Sequence, residues 1–102
     1  MSKEEKIKEA SLSDKLILVE FFATWCIHCQ HMRPVVHAFK EEMKGVVDVI
    51  EVDIDKNESL ASYYDVEGTP TFILMKHGEQ LWRQSGEMPL ERLLKAVKDL
   101  NV

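Results

Sequence analysis

The sequence predicts an α/β fold, a central mixed four-stranded sheet flanked by helices on both faces. Three observations predict it. Apolar, strand-like runs alternate with amphipathic helical stretches through the first two thirds of the chain. The first two strand runs are joined through a long helical stretch, the kind of crossover that parallel pairing needs. The last two flank His77-Gly78, a tight turn that pairs its strands antiparallel.

Each element has a local reason. Residues 2–10 read as a short amphipathic helix, with Ser2 as N-cap and Glu5 completing a capping box. Ser11 to Asp14 is a polar break. Lys15 to Phe22 then runs Leu16, Ile17, Leu18, Val19, Phe21 and Phe22 with only Glu20 interrupting, the pattern of a strand covered on both faces. A long helix is expected over about 26–44, where Cys29, Met32, Val36, Phe39 and Met43 recur at steps of three or four. Pro34 removes one backbone donor inside it and should kink it. Gly45 stops it.

Residues 46–54 form the second strand, and Asp55-Lys56-Asn57 caps a short helix to about Tyr64. Gly68-Thr69-Pro70 breaks the chain before a third strand at 71–76, and a fourth runs from 79 to about 84. Ser85-Gly86 ends it. Pro89 opens a final helix with Leu90, Leu93, Leu94 and Val97 on one face. Trp82 and the methionines are read as packing residues, and His31 and His37 as helix-surface residues.

Bulk properties exclude several functions. At 102 residues the chain is expected to form a single domain, 1–102. A net charge of −5 argues against nucleic acid, which selects a basic face. No apolar run approaches the roughly 18 residues of a membrane helix, so no membrane partner is expected. The first ten residues lack the apolar centre of a signal peptide. The expected setting is cytoplasmic and the expected state a monomer. In a reducing compartment two closely spaced cysteines are catalytic or metal-binding rather than a structural staple.

Both cysteines fall in Phe21-Phe22-Ala23-Thr24-Trp25-Cys26-Ile27-His28-Cys29, where the first strand meets the long helix. Two readings follow. Thiols at this spacing can close a small disulfide, and a helix start stabilises a thiolate. Alternatively Cys26, Cys29, His28 and His31 could ligate zinc. A structural site usually wants a second Cys/His pair at a suitable remove, and His37 and His77 form none, so no metal is expected.

Trp25-Cys26-x-x-Cys29 after a strand, Pro34 in the following helix, Gly68-Thr69-Pro70-Thr71 before a hairpin turning at His77-Gly78, and then Gly86 together resemble the thioredoxin superfamily over about residues 12–101. The resemblance implies the thioredoxin fold, with a cis peptide before Pro70 packed against the dithiol. Family members often begin with an extra strand. Here the segment before Lys15 is short and helical, hence four strands. It also implies a protein-disulfide oxidoreductase acting on disulfide-containing proteins. Electrons would come from a thioredoxin-reductase-type donor or a small thiol, and no bound cofactor is required.

Under this resemblance Cys26, facing the N–H groups of the helix start, is the nucleophile, and Cys29, deeper in the helix, resolves the mixed disulfide. Ordinary thioredoxins carry Gly-Pro between the cysteines. Ile27-His28 resembles instead the sites of protein disulfide isomerases and periplasmic disulfide oxidases, and His28 beside the thiolate would make the disulfide more oxidising. Glu20 stands where the family carries a buried acid. Burial should raise its pKa and suit it to take the Cys29 proton. Glu51 aligns where thioredoxins often place a lysine, and either couples to Glu20 or is a solvated strand residue. Trp25, Thr69, Pro70, Ser85 and Gly86 are expected to form the substrate rim. Glu87 puts a charge where an apolar residue would make a greasier contact. The rival of a different class is a redox-sensing or protein-binding module whose dithiol cycles slowly.

Overall fold

The computed structural model describes residues 1–100; Asn101 and Val102, which the expected domain includes, lie outside the described residues. The chain runs α1 (Lys3–Ser11), β1 (Leu16–Phe22), α2 (Ile27–Glu42), β2 (Val47–Asp53), α3 (Glu58–Tyr63), β3 (Thr71–Lys76), β4 (Glu79–Ser85) and α4 (Leu90–Leu100). The four strands lie in the order β2-β1-β3-β4. β1 pairs parallel with β2, and the β1–β3 and β3–β4 pairs are antiparallel. The mixed sheet expected from the sequence is the one found. Among the described residues, no helix is long and apolar enough to cross a membrane.

Strand periodicity divides the core. Leu16 and Leu18 of β1, with Phe72 and Leu74 of β3, pack against Met32, Val36 and Phe39 of α2 and Leu93 and Ala96 of α4. The alternate residues Ile17, Val19 and Phe21, with Ile73 and Met75, pack against Ile7 of α1 and Ala61 of α3. β1 and β3 are central strands covered on both faces, so they read as continuous apolar runs. Glu20 shares the even-numbered face of β1 with Leu16 and Leu18, the face that α2 covers.

Local signals set the ends. Ser2 and Glu5 make the reciprocal capping box, at 3.0 and 3.1 Å. His77 and Gly78 both adopt positive φ, 52° and 78°, the backbone that a two-residue turn between twisted strands demands. Arg83 of β4 donates to the carbonyls of Tyr64 and Asp65, fixing the end of α3 to the sheet. Trp82 packs against the α2/α4 core, with the Arg92 guanidinium 5.2 Å from its ring centre.

Three expectations shift. α2 begins at Ile27 with Cys26 as its N-cap and ends at Glu42, with Pro34 inside it as expected and Gly45 (φ 84°) in the turn that follows. Asn57 occupies the N-cap of α3 without capping it, because its amide donates back to the Asp53 carbonyl at 2.9 Å. Ser85 closes β4 rather than ending it from outside. Met32, Met75 and Met88 are buried as expected, but Met1 is 73% exposed.

Phe39, fully buried between α2 and the sheet, is the residue through which the helix carrying the cysteines is seated. Phe39→Ala should cost about 3–5 kcal/mol of stability, read as a lower urea midpoint at unchanged slope. A loss below about 1 kcal/mol would contradict this packing.

Candidate active site

Cys26 sits at the tip of α2, in extended conformation (φ −85°, ψ 119°), one step before the first helical residue. It makes no capping hydrogen bond, but the backbone N–H groups of Cys29 and His28 in the first turn favour its anionic form. Thr69, across the site, makes two opposing contacts. The protonated thiol donates to the Thr69 carbonyl at 3.5 Å, which favours the thiol, whereas the Thr69 hydroxyl nearby favours the thiolate. The latter, with the two N–H groups and the Cys29 thiol, outweighs burial and lowers Cys26 from 9.0 to about 7. The dipole of a helix contributes about 0.3–1 kcal/mol to such an anion, and one pKa unit is about 1.36 kcal/mol. Direct donors therefore supply most of the fall.

Cys29, 4% exposed, moves the other way. Cys26 exposes only 8%, yet it lies just beneath the surface while Cys29 is packed deeper. For Cys29 burial dominates and raises the pKa, and the neighbouring Cys26 adds to the rise. Both are free thiols. The helix tip thus holds one sulfur readily ionised and one held protonated.

The facing wall is the segment before β3. Thr69-Pro70 is a cis peptide bond. The Pro70 carbonyl accepts from Gly86 N–H at 2.9 Å, and Thr71 Oγ1, which is buried, joins the Gly68 carbonyl at 2.6 Å and Ser85 Oγ at 2.8 Å. These contacts bring Thr69, Pro70, Ser85 and Gly86 together beside the cysteines. Trp25, 69% exposed, is anchored by its indole N–H to Asp55 at 2.8 Å. A groove of about 260 Å³ beside Cys26 is lined by Trp25, Ile54, Val66, Gly68 and Thr69.

Glu20 is 4% exposed, opposite Glu51 in β2 and Phe72 in β3. Burial first, and then the Glu51 carboxylate, raise it from 4.5 to about 7; Lys40 and Arg33 of α2 pull it partly back. Lys40 is ion-paired to the half-exposed Glu51. The Glu51 carboxylate therefore acts on Glu20, and the local cations are supplied by α2. Sequence reasoning missed Lys40. Its signal was a position four residues beyond Val36, at the edge of the buried helical stripe.

His28 does not turn its ring to the sulfur. Its Nδ1 meets Glu87 Oε2 at 2.6 Å, and His31 Nδ1 meets the same oxygen at 3.0 Å. The bond to Glu87 raises the His28 pKa against slight desolvation, with Cys26 a lesser influence, and the two histidines lower that of Glu87. Glu87 links the β4–α4 segment to the first turn of α2, a connection between residues 59 apart in sequence. Among the described residues, the ligand-type atoms that converge within 4.8 Å are those of His28, His31 and Glu87, and neither cysteine belongs to that set.

The family model described as Thioredoxin matches residues 2–99. Among curated proteins, the chain is 40% identical over 87 residues to the chloroplastic thioredoxin Y2 of Arabidopsis thaliana, covering 85% of this chain and 52% of that protein. It is 32% identical over 96 residues to a thioredoxin of Staphylococcus aureus, covering 90% and 92%. The chain spans about half the length of the chloroplastic relatives it matches. Among solved structures, a thioredoxin from Nicotiana alata superposes with a TM-score of 0.86 at 31% identity, over 97% of this chain and 86% of that one.

Glu20 makes the fold pH-sensitive. Its native pKa, about 7, lies above the 4.5 of an exposed carboxyl, so between these values the native state binds more protons than the unfolded one and stability falls as pH rises. Glu20→Gln should be more stable than the parent by up to about 3 kcal/mol at pH 8, with the advantage vanishing near pH 4. Urea unfolding at the two pH values measures it; an equal effect at both would show that Glu20 does not titrate high.

Proposed function

The chain belongs to the thioredoxin family, and from that premise we propose that it is a thiol-disulfide oxidoreductase acting on disulfide-containing proteins through Cys26 and Cys29. The observation that carries the reading is the pairing of an anion-stabilised sulfur at the tip of α2 with a second, deeper thiol held protonated. A lowered pKa is a general property of Cys-x-x-Cys sites of this family.

In the proposed cycle a substrate peptide lies against Trp25, Thr69, Pro70, Ser85 and Gly86. The Cys26 thiolate attacks one sulfur of the substrate disulfide, forming a mixed disulfide and releasing the other substrate sulfur as a thiolate that takes a proton. Cys29 then gives up its proton, with Glu20 as base through water, and attacks Cys26. The second substrate thiol leaves, and Cys26–Cys29 becomes a disulfide. Two electrons have passed to the substrate. A thioredoxin-reductase-type donor or a small thiol returns them, and no bound cofactor takes part.

His28 tunes the direction. Although its ring is tethered to Glu87, a protonated His28 and the Cys26 anion attract each other, which favours the reduced form and makes the disulfide more oxidising than the roughly −270 mV established for thioredoxin. That would add isomerase or oxidase competence to reduction.

Insulin reduction with a dithiol as electron source tests the cycle. We expect many turnovers, abolished by Cys26→Ser, and a mixed disulfide trapped on Cys26 in Cys29→Ser. Stoichiometric exchange only would favour the sensing or binding module. Alkylation of Cys26 should rise through about pH 7 and outpace that of Cys29. Equal sluggishness, or faster labelling of Cys29, would overturn the assignment. His28→Pro should lower the reduction potential, each ~30 mV representing about 1.4 kcal/mol; an unchanged potential removes the tuning role.

A further inference from the structure

The exchange cycle leaves His31 without a task, yet it is held on the same Glu87 oxygen as His28. We infer that His28, His31 and Glu87 form a binding site for a zinc-class divalent cation, beside the dithiol but independent of either sulfur. The two histidines stand three residues apart on the first turn of α2 and so share a face. Glu87 arrives from the segment between β4 and α4. Both Nδ1 atoms point at one carboxylate oxygen, at 2.6 and 3.0 Å, and the three ligand atoms lie within 4.8 Å of one another.

The donor chemistry selects the ion. Two imidazole nitrogens and one carboxylate oxygen suit zinc and its transition-metal neighbours, whereas calcium and magnesium seek oxygen-rich shells. Zinc holds such ligands at about 2.0–2.2 Å, which sets ligand atoms roughly 3.4 Å apart around a tetrahedral ion. The present contacts are tighter because hydrogen bonds draw the groups together. Spreading them by less than about 1 Å opens the site, and all three side chains are exposed. Three protein ligands leave a fourth position for water.

Two forces oppose the ion and set its affinity. The positive end of α2 disfavours a cation, and a proton competes for each imidazole. The Glu87 carboxylate offsets the first, and binding above the histidine range removes the second. Zinc held by Cys26 and Cys29 would be a different site, so the test removes both sulfurs.

In the Cys26→Ser/Cys29→Ser protein at pH 7.5, titration with Zn²⁺ by calorimetry and with Co²⁺ by visible absorption should show one ion per chain. Losing an outer partner of a metal ligand already costs about 10–100-fold, so His31→Ala and Glu87→Gln should each weaken binding at least about ten-fold. His37→Ala, an exposed histidine of the same helix, should leave it unchanged. Far-UV circular dichroism checks that each variant is folded. No one-to-one uptake by the sulfur-free protein would overturn the site, as would uptake that His31→Ala and Glu87→Gln leave undiminished.

Discussion

The structure depends on donors converging on one sulfur. Backbone N–H groups of His28 and Cys29 can face Cys26 only because α2 starts one residue later, and α2 holds that position only because its Met32, Val36 and Phe39 stripe is seated on the even-numbered face of β1 and β3. Thr69 completes the set from across the site, next to Pro70, whose carbonyl is held by the Gly86 N–H. Local geometry, core packing and chemistry are thus one chain of cause. Loosening the helix on the sheet would spread the donors, and the dipole alone is too small to replace them.

The same small region pushes neighbouring groups in opposite directions. Cys26 is lowered by direct donors, Cys29 is raised by depth, and Glu20 is raised by burial and by a carboxylate across the strand pair. Burial and direct donors thus hold adjacent titratable groups in different protonation states at neutral pH. Lys40, ion-paired to Glu51, and Arg33 both favour the Glu20 anion, but burial and the Glu51 carboxylate outweigh them, so Glu20 stays high.

What could be read from the chain was whatever depends on near neighbours in sequence. The alternation Leu16/Leu18 against Ile17/Val19/Phe21 foretells a strand covered on both sides, the Ser2–Glu5 spacing foretells a capping box, and His77-Gly78 foretells a two-residue turn. The four-stranded sheet followed from these local patterns and from the family resemblance. Side-chain pairings across the fold were not legible. His28 faces Glu87 rather than the sulfur because an exposed imidazole takes the strongest acceptor within reach, and that acceptor comes from 59 residues away. Lys40 on Glu51 is a helix-to-strand contact with no sequence period to announce it. Asn57 failed as a cap for a similar reason, since the Asp53 carbonyl offered its amide a competing partner.

These long-range pairings give the rim two unlike walls. On the Trp25 side the groove is bounded by Ile54, packed on the core around Ala23 and Cys29, and by Val66, packed on the core beneath α1 and α3, with the exposed Glu67 beside them. On the Gly86 side the next residue is a carboxylate held by two histidines of the helix that carries the dithiol. An apolar residue at 87 would have left the β4–α4 segment joined to α2 there by packing and by the Met88 N–H bond to Met32 Sδ at 3.4 Å. Glu87 joins them by charge, so the electrostatic setting of the first turn of α2, and with it the surroundings of Cys26, includes a segment remote in sequence. Burial separates the two walls physically: the apolar wall is maintained by the core, whereas the charged wall rests on exposed groups that solvent ions can screen.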